Sequence, residues 1–248
     1  MDPREYDIMY HAETLHWWYL GMASITRALL KRRVRPSRPL NILDAGCGTG
    51  AAMTTYLAEY GDVTGVDLYS QAVTLSRRRN ASRLARASIL DLPLASASFD
   101  LVASFDVLYE RGVPDETWAL HEFWRVLKPG GWLLMRLPAY NWLRGHHDER
   151  VHTRRRFTRR QVKSLLEQTH FLVEHLSYAN MILFPLALVQ RIGERFFNAD
   201  ANASDLTLHW TNAYFKRILE WEAPIVSGIG LPYGLSLFVV ARKASAES

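Results

Sequence analysis

A single cysteine, Cys47, stands in a chain of 248 residues, so no intramolecular disulfide and no cysteine-pair zinc site can form, and disulfide scaffolds and zinc fingers drop out. Long apolar runs are also missing. The most apolar stretch, 181–189, stops at Gln190-Arg191, short of the roughly 20 residues that a membrane-spanning helix needs. The N-terminal MDPREYDIMYHAETLH carries acids and lacks a continuous apolar segment, so no secretory signal is read there and a cytoplasmic chain is the simplest expectation. Charge is nearly balanced: 30 Lys+Arg against 25 Asp+Glu leave a formal charge of +5, too little for a dedicated nucleic-acid binder. No internal repeat or low-complexity segment breaks the pattern. With 48% hydrophobic and 22% charged residues, the chain can bury one large core.

What is present alternates. Short apolar runs at 40–45, 62–68, 84–90, 99–105 and 132–137 read as strands, and helical patterns at 51–60, 70–80 and 114–127 fall between them. This alternation predicts an α/β, doubly wound sheet of mostly parallel strands with right-handed crossovers and helices on both faces. Ahead of it, 5–34 repeats apolar residues at near-helical spacing (Leu15, Trp18, Met22, Ile25, Leu29). Behind it, 138–157 is a long connection rich in aromatics, histidine and arginine, of the kind that is usually functional in a compact domain. Thr158 then caps a helix over 159–169, 171–177 reads as a strand, 181–223 as helical, and 235–241 as a closing strand. In such sheets ligands sit at the carboxyl ends of the strands, so the loops after 45, 67, 90, 105 and 137 should converge on one site.

The loop Asp44-Ala-Gly-Cys-Gly-Thr-Gly50 follows a strand and opens a helix. Glycines there let the backbone turn tightly and approach a ligand. The dinucleotide fingerprint needs G-x-G-x-x-G, whereas this loop reads G-x-G-x-G with an acid before it. That acid would repel a pyrophosphate but can accept hydrogen bonds from an ammonium group. Asp67 ends the second strand, where a carboxylate can accept both ribose hydroxyls, and Asp91 follows the third, suited to an adenine amino group. Three such acids and a glycine loop fit an adenosyl ligand with an amino-acid tail.

With these residues the sequence resembles the class I S-adenosylmethionine-dependent methyltransferases of the type 11-like group. The resemblance rests on Ile42-Leu-Asp-Ala-Gly-Cys-Gly-Thr-Gly50, Val66-Asp67, Asp91-Leu-Pro93 with Ser98-Phe-Asp-Leu-Val102, and Arg125-Val-Leu-Lys-Pro-Gly-Gly131, in that order. It implies a Rossmann-like seven-stranded sheet in an order near 3-2-1-4-5-7-6 with the last strand antiparallel. It also implies one domain over 1–248: a helical lid at 1–36, a sheet core at 37–180 and 229–243, and a helical insertion at 181–228. By the same resemblance S-adenosyl-L-methionine is the cofactor and S-adenosyl-L-homocysteine its product. Asp44, Ala45, Gly46, Cys47, Gly48 and Gly50 would surround the methionine part, Asp67 the ribose, and Leu68, Leu90, Asp91 and Leu92 the adenine, with Phe105 and Tyr19 bordering the site.

Methyl transfer from a sulfonium is helped chiefly by alignment and exclusion of water, and a hydroxyl acceptor adds the need for a base. Candidate bases lie in the long connection: His146, His147, Asp148 and His152, with His16 and Glu110 elsewhere. The resemblance favours His147, with Asp148 and His152 beside it, and the spacing of these histidines matches no strong metal pattern. Trp18, Tyr109, Tyr140, Trp142, Arg155 and Arg156 are the candidate acceptor contacts. Arg77, Arg78 and Arg79 fall late in a helix, where cations complement the dipole. Arg154 to Arg156 with Arg159 and Arg160 fall near the expected site, which opens the reading of an acidic acceptor. The expected function is methyl transfer to an oxygen or nitrogen of a small molecule by a monomer or homodimer, with nucleic acid disfavoured. RNA or protein methylation and a non-catalytic cofactor-binding scaffold are the alternatives.

Overall fold

The computed structural model describes residues 3–145, 148–149, 151–197 and 209–245. Its strands are β1 (Leu40–Ala45), β2 (Gly61–Asp67), β3 (Leu84–Arg86), β4 (Phe99–Phe105), β5 (Leu127–Pro138), β6 (Phe171–Ala179) and β7 (Ser236–Lys243). They form one sheet in the order β3-β2-β1-β4-β5-β7-β6. The first five run parallel, and β7 is antiparallel to both of its neighbours, with Val239 opposite Met135 and Leu176. The expected Rossmann-like order and the reversed last strand are therefore present. The first six residues of β4 and of β7 are buried, as strands covered on both faces must be.

The helices are α1 (Pro3–Ala12), α2 (Trp17–Leu29), α3 (Ala51–Thr54), α4 (Ser70–Arg78), α5 (Glu116–Val126), α6 (Arg159–Gln168), α7 (Phe184–Phe197) and α8 (His209–Ser227). No described helix is long and apolar enough to cross a membrane. The leading helical stretch is two helices rather than one. His16 takes an extended backbone and accepts the Trp18 N–H, making it the N-cap of α2 rather than an interior residue. At its far end α2 runs into a π-helical turn at Leu30–Val34, closed by Arg35 at a φ of 48°. The helix expected over 51–60 is a single turn, α3, and the third strand stops at Arg86, short of the expected 90. The predicted cap of α6 holds as a full capping box between Thr158 and Gln161.

α2 and α8 lie side by side, in register from Trp17 against Phe215 to Arg33 bonded to the Ser227 carbonyl at 2.7 Å. Gly21 permits this approach, because a Cβ there would collide with the Leu219 side chain. Glu222, buried on α8, accepts the backbone N–H groups of Asn180, Met181 and Ile182 at 2.7–3.2 Å. It thereby pins the turn between β6 and α7. On α7, Leu186, Val189 and Ile192 are exposed.

Candidate active site

The glycine loop leaves β1 with Gly46, Gly48 and Gly50 all at positive φ, at 83°, 55° and 80°, a backbone path that side chains resist. Gly46 is also enclosed: a Cβ would run into Val107 in the loop after β4. Cys47, in the same loop, is buried, and burial pushes its thiol up, so it is an inert packing group.

Asp44 is 1% exposed, and neither of its carboxylate oxygens has a hydrogen-bond partner among the described residues. Burial, then the neighbouring carboxylates Glu13 and Asp67, push it up to about 7 against the pull of Arg136. An orphaned buried carboxylate is costly, and an ammonium group would complete it. Asp67 is also buried, yet it is held: it accepts the N–H groups of Gly48 and Tyr69, each at 2.9 Å. Carboxylate oxygens have lone pairs beyond these two bonds, so ribose hydroxyls can still be accepted. These two acids fit the aminoacyl and ribosyl parts of S-adenosyl-L-methionine. Leu68 is exposed beside them, and the 88–92 turn places Leu90 half-buried, Asp91 exposed and Leu92 buried. Glu122 accepts the Leu92 N–H at 2.7 Å and fixes that turn.

The sequence reading missed two groups. Arg136, near the end of β5, is 6% exposed and bonds Asp106 Oδ2 at 2.6 Å. Its guanidinium lies over the rings of Trp18 and Phe105, at 4.6 and 5.3 Å. A lone charge inside the apolar run Trp132-Leu-Leu-Met-Arg-Leu137 was the available signal, since a buried cation must have a partner. The second group is the inner face of α1. Tyr6 packs on Tyr69, Met9 faces Gly48, and Glu13 just beyond the helix bonds Thr49 and pairs with Arg79 at 3.3 Å. α1 therefore lies across the glycine loop, as a lid would.

The long connection is organised by ion pairs. Glu116, 3% exposed, holds both Arg154 and Arg155, the latter at 2.5 and 2.7 Å. Asp148, also buried, holds Arg156 at 2.8 and 3.0 Å and accepts the Gly145 N–H, and these contacts keep its carboxyl low despite burial. Arg156 and Asp148 thus pair with each other, and Arg155 pairs with Glu116. His146 and His147 lie outside the described residues, and His152 is exposed, with a φ of 55°. Tyr109 is buried beside Arg136, Asp106 and Tyr19. Tyr140 and Trp142 form a separate cluster, Tyr140 stacked on Tyr178 at 5.2 Å and Trp142 edge-on to Phe184. Glu110, after β4, is pushed up to about 7 by burial and by Asp67. No described group of three metal-ligating side chains is brought together.

Residues 43–135 match the family model described as a methyltransferase domain. Over that segment the chain is similar to a methyltransferase domain. It is 34% identical over 146 residues to the malonyl-[acyl-carrier protein] O-methyltransferase of Enterobacter lignolyticus (strain SCF1), covering 55% of this chain and 57% of that one. It is 36% identical over 99 residues to the demethylmenaquinone methyltransferase of Staphylococcus aureus (strain MRSA252), covering 37% and 40%. The chain thus spans about half the length of these curated relatives, or less. Among solved structures, a chain of the Haloferax volcanii complex between a methyltransferase activator and a methyltransferase superposes with a TM-score of 0.62 at 18% identity, over 97% of this chain and 98% of that one. A methyltransferase from Thermotoga maritima does so with a TM-score of 0.59 at 16% identity, over 97% and 95%. At such identities the likeness is one of fold.

Proposed function

We propose that the chain is an S-adenosylmethionine-dependent methyltransferase that acts on an oxygen or nitrogen of a small-molecule acceptor. The orphaned carboxylate of Asp44 carries this reading, because it is a buried acceptor matched to an ammonium group and placed one loop away from Asp67. When bound, the cofactor supplies an electrophilic methyl group. Asp44 would hold the ammonium, Asp67 the ribose hydroxyls, and the Leu68 and 88–92 segments the adenine. Phe105, Trp18 and Tyr19 would wall the reacting end and exclude water, with α1 closing over the glycine loop. The names of both curated relatives point to acceptors other than nucleic acid, which favours the small-molecule reading.

A hydroxyl acceptor would need a base. Asp148 is occupied by Arg156 and His152 is exposed, whereas Glu110 is half-buried near Asp67, with its carboxyl pushed up to about 7. We therefore rank Glu110 ahead of Asp148 and His152, with His147 retained by the resemblance. The test has two parts. Calorimetric titration with S-adenosylmethionine should show binding that Asp67→Ala weakens, and unchanged affinity would sink the cofactor assignment. Labelled cofactor incubated with a fractionated metabolite extract should transfer label to a nuclease-resistant fraction; transfer to a nuclease-sensitive one alone would overturn the acceptor class.

A further inference from the structure

We propose that the outer face of α8, together with the basic turn after α2, docks the protein on an anionic lipid surface. On α8, Tyr214, Trp221 and Ile225 are exposed and spaced seven and four residues apart, which sets them in one stripe along the helix. Trp221 is 72% exposed. Ile229, just past the helix, is 94% exposed. This tip is fixed rather than loose. Arg33 bonds the carbonyls of Ser227 and Gly228, and the Gly230 N–H bonds the Ile225 carbonyl at 2.9 Å. A large aliphatic side chain is thus held out between two glycines, uncovered by any described residue, just past the end of the helix that carries the exposed Trp221. A tryptophan beside an aliphatic anchor suits the interface between headgroups and acyl chains.

The rim of this stripe is positively charged. Lys31, Arg32 and Arg35 are exposed and form no ion pair among the described residues, and the Arg32 guanidinium lies 3.4 Å from where a Gly228 Cβ would be. Residues 17–35 contain no acid. On α8 itself Glu220 pairs with Lys216 at 3.4 Å and Glu222 is buried on backbone amides, while Arg217 is exposed beside the stripe. No exposed, unpaired carboxylate on these two helices offsets the cations. An apolar stripe edged by cations is complementary to a surface whose interior is hydrocarbon and whose headgroups are anionic. A two-fold dimer through this face would instead set the basic rims against each other.

The experiment is co-sedimentation of the full chain with vesicles of phosphatidylserine and phosphatidylcholine, and with vesicles of phosphatidylcholine alone. Three rim cations predict roughly a hundredfold tighter binding to the anionic vesicles, reduced by salt. Ile229→Asp, at a site with no packing to lose, should weaken binding about tenfold or more with an unchanged melting temperature. Arg32→Glu should weaken binding to the anionic vesicles only. Equal or absent binding to the two vesicle types overturns the proposal, as does an Ile229→Asp variant that binds like the parent. A concentration-dependent dimer in analytical ultracentrifugation that Ile229→Asp abolishes would assign the face to a second copy instead and overturn it as well.

Discussion

The guanidinium of Arg136 meets Asp106 Oδ2 at 2.6 Å and ties the end of β5 to the loop that leaves β4. Asp106 takes a φ of 58° to make this contact and donates its own N–H to the Arg136 carbonyl at 3.0 Å. Aspartate tolerates that backbone region better than most residues, so side chain and backbone are matched here. Removing one partner leaves a buried charge unpaired. Arg136→Met should therefore cost about 3–5 kcal/mol in urea unfolding, and Arg136→Met with Asp106→Asn should cost less than the single change. A double variant that loses the sum of both would show that the two residues act independently.

Asp44 should make the ligand-free protein less stable as pH rises. Its folded pKa of about 7 lies above the usual carboxylate range, so the folded state binds the proton more tightly than the unfolded one. Stability is full below about pH 4 and is lost as pH rises toward 7, by an amount on the order of a few kcal/mol. Asp44→Asn should flatten this slope and raise the melting temperature at pH 8 while removing most of the shift that S-adenosylmethionine produces. A variant with the parental slope would mean that Asp44 is not the group that titrates. Gain of stability with loss of binding is the pattern of a residue kept for a ligand.

Gly46→Ala should be disabling for two separate reasons. The residue holds a φ of 83°, and a Cβ would enter the space of Val107. Left-handed strain costs about 1–2 kcal/mol and overpacking about 1–3 kcal/mol more. Adding Val107→Ala should recover the packing part but not the strain. Thermal unfolding of the single and double variants separates the two, and full recovery would show that backbone conformation contributes nothing.

The sheet was legible because its strands are apolar runs bounded by glycine and acid, and the order followed from the resemblance carried by four motif blocks. Asp44 and Asp67 were legible for the same reason: each is the acid at a strand end. Helix lengths were less so. Residues 55–60 have helical composition, yet α3 ends at Thr54, because the chain must return to start β2 beside β1. The partners of Asp148, Glu116 and the arginines could not be read, since ion pairing across 38 residues, as between Glu116 and Arg154, leaves no periodic trace. The connection 138–157, rich in aromatics, histidine and arginine, looked like a set of acceptor contacts. In the structure much of it is a set of internal salt bridges.

The contact of α1 with the glycine loop can be tested without an acceptor. Glu13 joins Thr49 of the glycine loop and Arg79 of the segment after α4, so it fastens the end of α1 to the site from two sides. Glu13→Ala should expose the α1 segment to limited proteolysis and raise the dissociation constant for S-adenosylmethionine roughly tenfold, the loss of about 1.4 kcal/mol. Unchanged cleavage in the variant would mean that the apolar contacts of Tyr6 and Met9 suffice to hold α1.

The sharpest contrast lies between Asp148 and a catalytic carboxylate. Burial opposes its charge, but Arg156, 11% exposed, bonds both of its oxygens, and its pKa stays below the ordinary value. A depressed carboxylate stabilises the fold above the unfolded pKa near 4, and that contribution is lost as pH falls through the folded value. Asp148→Asn should then destabilise the protein by about 3–5 kcal/mol at neutral pH, because Arg156 is left buried without its charge partner, and should blunt the acid end of the stability curve. The pH profile of methyl transfer by the folded variant should keep the parental shape. Were Asp148 to orient a catalytic histidine, the profile would shift and the stability would hold; measuring both on one variant decides which role the residue has.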